Sequence, residues 1–129
     1  MQAGLRAAIY TRLITVSGLT SANTFFSAAP QDAAEPYCVF DSVANPNESD
    51  SVDRWEIDYF DVSLYGPSLA ALETIEAGIE TAIDRQEAAF SVTGYTMIDM
   101  RLIARPVKRQ ENLNTWKITL SFKSEMQRN

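Results

Sequence analysis

Four carboxylates crowd one short stretch of this sequence: Asp50, Asp53, Glu56 and Asp58. Oxygen donors at that density suit calcium or magnesium, hard cations that take carboxylate and carbonyl ligands. Their spacing does not make an EF-hand loop, which needs a mid-loop glycine and a terminal glutamate at fixed offsets. Glu56 and Asp58 also alternate with Trp55 and Ile57, as the solvent face of a strand does. No metal and no cofactor are expected. The chain has no histidine, which removes Ser–His and Cys–His nucleophile pairs, imidazole ligands and the commonest general base. Cys38 sits in a run of strand formers, where a small buried hydrophobe is expected. Neither usual glycine-rich phosphate loop occurs. Asn47-Glu48-Ser49 matches a glycosylation sequon, but no secretory signal accompanies it. Catalysis is not expected, and no catalytic residue is assigned.

The 129 residues, 46% hydrophobic and 22% charged, suit one folded domain over 1–129 with its own core. A single cysteine forbids an intrachain disulfide and fits a reducing compartment. Arg12 interrupts the apolar run near the start, and no segment is long enough to cross a bilayer. A soluble intracellular product is expected. The net charge of −6 opposes nucleic-acid binding, which draws its affinity from phosphate neutralisation. That average conceals a gradient: residues 41–61 carry seven acids against Arg54, whereas residues 101–129 carry seven bases against Glu111 and Glu125. Two readings fit, an ordered association through opposite charges and solvated faces of a monomer. On the first, the candidate contacts are Glu48, Asp50, Asp53 and Arg54 at the acidic end. Arg101, Arg105, Lys108 and Arg109 are their counterparts at the basic end.

These charges must be held by elements that the apolar spacing reveals. Leu5, Ile9, Leu13 and Val16 recur at helical spacing over 3–16, and Ser17-Gly18 ends that helix. A long Ser/Ala/Asn loop, 17–35, follows. Residues 36–44 read as a strand that Pro36 opens, and 53–66 as a second strand, so the two form a hairpin whose polar, turn-rich tip spans about 45–54. The apolar phase of the second strand runs Trp55, Ile57, Tyr59 and then Phe60, Val62, Leu64. Such a switch signals a bulge near Tyr59-Phe60 or a strand covered on both sides at one end. Gly66 or Ser68 caps a second helix, buried through Leu69, Leu72, Ile75, Ile79 and Ile83. Gly78 in its middle costs about 1 kcal/mol unless a close neighbour needs the space. Residues 95–106 form a third strand, with Ile98, Met100, Leu102 and Ala104 on one face, and 107–113 turn the chain into the last. There Trp116, Ile118, Leu120 and Phe122 alternate strictly with Lys117, Thr119, Ser121 and Lys123, the pattern of a half-buried strand. Core packing is expected for Trp55 and Trp116, rather than a stacking platform for bases. The order α-β-β-α-β-β gives an α+β fold, a four-stranded, mainly antiparallel sheet of two hairpins with two helices packed on one face. Its expected core includes Trp55, Ile57, Leu72, Ile75, Ile79, Trp116, Ile118, Leu120 and Phe122.

The same series of elements resembles the tail-completion or tail-terminator (head–tail joining) proteins of tailed bacteriophages over roughly residues 3–125. "PYCVF", "DRWEIDYFDVSLYG", the Ser-Leu-Ala-Ala-Leu helix and "TWKITLSFK" carry the resemblance, Pro36-Tyr37 and the run into Leu64-Tyr65-Gly66 most closely. The long 17–35 loop and the acidic tip depart from it. The resemblance implies a virion protein of the tail or neck, made in the host cytoplasm. It implies a homo-oligomeric ring, commonly a hexamer, on the head-proximal end of the tail tube. The tail tube protein and the head–tail connector are its implied partners, with no membrane and no sequence-specific nucleic acid, DNA at most passing through the ring. Two other readings compete: a head-side neck adaptor of the same particle, and a non-viral α+β binding or regulatory module.

Overall fold

The computed structural model describes residues 1–43 and 55–129. Helix α1 (Ala3–Leu13) is followed by β1 (Thr24–Phe26), β2 (Tyr37–Val43), β3 (Trp55–Gly66), α2 (Leu69–Ile83), β4 (Tyr95–Leu102), β5 (Val107–Asn112) and β6 (Thr115–Arg128). The expected α+β class holds, but the sheet is six-stranded and mixed, in the order β1-β2-β3-β6-β4, with β5 also pairing with β6. Two strands were not expected. The first, β1, lies inside the loop read as 17–35 and pairs parallel to β2, Thr24 opposite Cys38. The second, β5, occupies the stretch read as a turn, and the true reversal is Leu113-Asn114, where Asn112 Oδ1 accepts from the Asn114 N–H (2.9 Å).

The last strand, β6, carries the sheet. It pairs antiparallel with β3 along twelve residues of that strand, Trp55↔Gln127 to Gly66↔Trp116, without a register shift. Its other side is shared by β4 near its C-terminus and β5 near its N-terminus. Those two are halves of one edge broken at 103–106. Leu102 faces Phe122 and Val107 faces Thr119, so four residues span the two opposite them. Pro106 lacks the N–H a ladder needs and restricts the residue before it, which accounts for the break.

Both helices lie on one face of the sheet. Phe40, Phe60, Val62, Leu64, Met100, Ile118, Leu120, Phe122 and Met126 meet Leu5, Ile9, Leu13, Leu72, Ile75 and Ile79 in a single core. The Phe60 and Phe122 rings stack 5.3 Å apart at its centre. Helix α2 is capped by Ser68, whose Oγ accepts from the Ala71 N–H (3.3 Å); Gly66 is the strand's last residue. Gly78 has its reason in Val16: a Cβ there would stand 2.8 Å from the valine's Cγ1. The glycine therefore lets the turn after α1 rest against α2.

The apolar phase of β3 needs correction. Its ladder is unbroken, so there is no bulge at Tyr59-Phe60, and Trp55, Ile57 and Tyr59 simply fall on the face away from the helices. Trp55 is 42% exposed and Ile57 half-buried, and neither belongs to the core. Trp116 is half-buried at the core's margin. The register shifts elsewhere instead, in β4 between Met97 and Asp99 and in β5 between Gln110 and Asn112; the one in β4 acts on the core. It leaves Ile98 41% exposed and hands the core-facing phase from Met97 to Met100.

Removing the buried Phe122 ring by Phe122→Ala is expected to lower stability by about 3–5 kcal/mol in urea denaturation. Trp55→Ala is expected to stay within about 0.5 kcal/mol of the parent, as exposed positions do.

Candidate assembly surface

The face of the sheet away from the helices is formed by the alternate residues of each strand, all of them half-buried or exposed. Aromatic rings and cations interleave on it. Tyr37 and Tyr65, opposite each other on β2 and β3, stack with centroids 4.9 Å apart. Phe25 meets Tyr37 edge-on at 6.4 Å. Lys117 Nζ lies 5.3 Å from the Tyr65 centroid, and Lys123 Nζ 5.9 Å from that of Tyr59. Cross-strand contacts of this kind add to sheet stability. Burial, helped by the neighbouring Tyr65, raises the Tyr37 hydroxyl above its ordinary pKa.

Charge on this face is unevenly matched. Toward β4 and β5 the cations have partners: Arg101 Nε with Asp99 (3.2 Å), Lys123 with Glu125 (3.4 Å), and Arg109 and Lys117 both on Glu111 (3.0 and 3.7 Å). Toward β2 the situation reverses. Asp41 and Asp61 stand directly opposite one another, a placement that destabilises an antiparallel pair. Asp61 accepts from the Ser121 hydroxyl (2.7 Å), and Asp41 from the Ser42 N–H (2.9 Å). Among the described residues neither carboxylate has a cation in ion-pair range.

The expected contact residues are thus dispersed. Glu48, Asp50, Asp53 and Arg54, with the whole tip 45–54, lie outside the described residues. Lys108 points to the helix side of β5 and bridges Glu73 (2.8 Å) and Glu76 (3.7 Å) of α2, tying the sheet edge to the helix. Glu76 is held above its usual carboxylate range by desolvation, against the opposing pull of Lys108. Arg101 and Arg109 are neutralised locally. Arg105 alone of the four is exposed without a partner among the described residues. The Asp41–Asp61 pair was not singled out; only the strand register brings those two carboxylates together.

The other acids are corrected too. Glu56 and Asp58 share the side of β3 that carries Phe60, not its outer face, because the covered phase runs through even-numbered residues to the strand's end. There they meet the start of α1: Gln2 Nε2 donates to Glu56 (3.3 Å), and the Met1 amino group lies 3.9 Å from Asp58. Gln2 also caps α1, its Oε1 accepting from the Gly4 N–H (3.1 Å). Among the described residues no three carboxylate or thiol groups converge where a metal could bind. Cys38 is fully buried and its thiol is pushed up to about 12, so at neutral pH it is a protonated, apolar filler.

The chain matches the family model of the tail completion protein gp17 over residues 7–124. Two solved structures share its fold. One is a chain of the virion of a native gene transfer agent particle, 18% identical, with a TM-score of 0.72 and coverage of 96% of this chain and 95% of that one. Another chain is 16% identical, with a TM-score of 0.67 and coverage of 100% and 97%. A search of curated proteins finds no match.

Burial holds Asp58 above its ordinary pKa of 3.8, outweighing the nearby amino group. The folded state therefore retains a proton that the unfolded chain releases, so this residue's contribution to stability falls as pH rises above 3.8. Asp58→Asn is expected to flatten that part of the stability–pH profile and to be at least as stable as the parent at neutral pH. A profile unchanged in urea titrations between acid and neutral pH would contradict this.

Proposed function

The chain belongs to the tail completion protein gp17 family, structural proteins of phage tails, and from that premise we propose that it forms a closed ring. The ring caps the head-proximal end of the tail tube and joins it to the head connector. The observation that carries this reading is the sheet itself, with one face under helices and the other presenting rings and charges to solvent. A heterologous contact between copies that closes on itself makes a ring. Capping a tube asks for shape and affinity, which this surface supplies without reactive groups. The occurrence of a chain of the same fold in the virion of a gene transfer agent particle supports a place inside a tailed particle. A neck adaptor on the head side is the competing position, and binding to purified tail tube rather than to connector separates the two.

Native mass spectrometry of the purified chain, alone and mixed with tail tube protein, is expected to show a discrete closed oligomer, probed first for a hexamer. Its population should fall as salt screens the charge pairs at its rims. A strict monomer in both conditions overturns the ring.

The acidic tip residues Glu48, Asp50 and Asp53 are assigned to recognition of a neighbouring subunit or of the tube, because polar connections carried on a rigid sheet often serve binding. Replacing all three by serine is expected to leave circular dichroism unchanged and to lower the yield of infectious particles in complementation. A normal yield from the folded variant would remove the tip from the mechanism.

A further inference from the structure

The two edges of the sheet carry complementary unmatched features. At one edge β1 covers only the first part of β2: it ends at Phe26, and Ser27, with φ of 71°, turns away after donating its N–H to the Phe40 carbonyl (2.9 Å). Asp41, Ser42 and Val43 are thereby left exposed, with no strand beyond them among the described residues. Val43 is 44% exposed, and Asp41 faces Asp61 across the ladder to β3. At the opposite edge the break between β4 and β5 presents Ile103 (44% exposed) and Val107 (61%) on either side of Arg105. Arg105 is exposed and has no ion-pair partner among the described residues.

We propose that these edges are the two halves of the contact between successive copies: the Ile103–Val107 segment of one copy seats on the Asp41–Val43 edge of the next. Arg105 then comes between the carboxylates of Asp41 and Asp61. This rests on the ring reading and names the residues that make it. Three observations select a second copy as the occupant. Each edge joins an exposed β-branched side chain to charge without an ion-pair partner among the described residues, the signs are opposite, and the patches stand on opposite edges of one sheet, so the contact propagates head to tail. A cation from outside would relieve the Asp41–Asp61 repulsion, which no cation among the described residues offsets. Guanidinium suits that task because its planar fork can serve two carboxylates at once. Pro106 denies the edge an N–H, so no continuous backbone ladder extends across the joint, and side chains define it.

Charge exchange tests the contact in the full-length protein. Asp41→Arg and Arg105→Asp, each alone, are expected to raise the concentration at which half the chain is oligomeric by about tenfold or more. The double variant D41R/R105D restores the opposite pairing and should recover much of that loss. Circular dichroism should match the parent, and the urea midpoint should not fall; for Asp41→Arg it should rise slightly, since a guanidinium would then stand opposite Asp61. Should the parent assemble while both single variants assemble equally well, the edge contact is wrong and the ring stands. Loss in the single variants without recovery in the double variant overturns the pairing of these two residues. A parent that stays monomeric alone and with tail tube protein overturns the ring, and this contact with it.

Discussion

The pairing of β6 with β3 is the interaction on which everything else in this structure rests. Every other strand is fastened to one of these two, or to a strand that is, and the alternation of β6 decides which side of the sheet is covered. Ile118, Leu120, Phe122 and Met126 turn toward the helices, while Lys117, Thr119, Ser121 and Lys123 turn away. A one-residue slip would exchange these sets. It would bury two ammonium groups and expose the Phe60–Phe122 stack, which is why the register is so strongly determined.

From that constraint follows a molecule with a one-sided core. The helices have their own close fit, Val16 against Gly78, and the sheet edge is tied to α2 through Lys108 and its two glutamates. What remains outward is a sheet face of stacked tyrosines, lysines and unevenly matched carboxylates, bounded by two incompletely covered edges. A protein of the tail completion family works by fitting other proteins. The chemistry visible on this surface is that of contact rather than reaction: stacked rings, and carboxylates with no ion-pair partner among the described residues.

Much of this was legible because the signals were local. The helix of Leu72, Ile75 and Ile79, the antiparallel pairing of Tyr37–Val43 with the strand after it, and the buried face of Ile118, Leu120 and Phe122 each announce themselves in spacing alone. Spacing leaves the cap of that helix open between Gly66 and Ser68. What escaped depends on distant neighbours. Trp55 and Ile57 alternate as convincingly as Phe60 and Val62, and nothing in the strand says which phase the helices will cover. The three residues of β1 are too few to show a period and are held by β2. The stretch Val107–Asn112 is exposed throughout, so it has no apolar alternation to read, and only its pairing with β6 makes it a strand. Among the candidate contacts, charge could be counted from the sequence but not matched. Lys108 and Arg109 are adjacent residues whose side chains fall on opposite faces, and the opposition of Asp41 and Asp61 exists only in the register.

The central claim is that this chain closes the head-proximal end of a tail tube, and tube length is the measurement that addresses it most directly. Purified tail tube protein polymerising in the presence of the chain, viewed by negative-stain electron microscopy, should yield tubes that stop growing and carry a ring at one end. The account predicts a mean length that falls as the chain is added and tubes capped at a single end. Tubes of unchanged length with bare ends, while the same preparation decorates isolated head connectors, would contradict it.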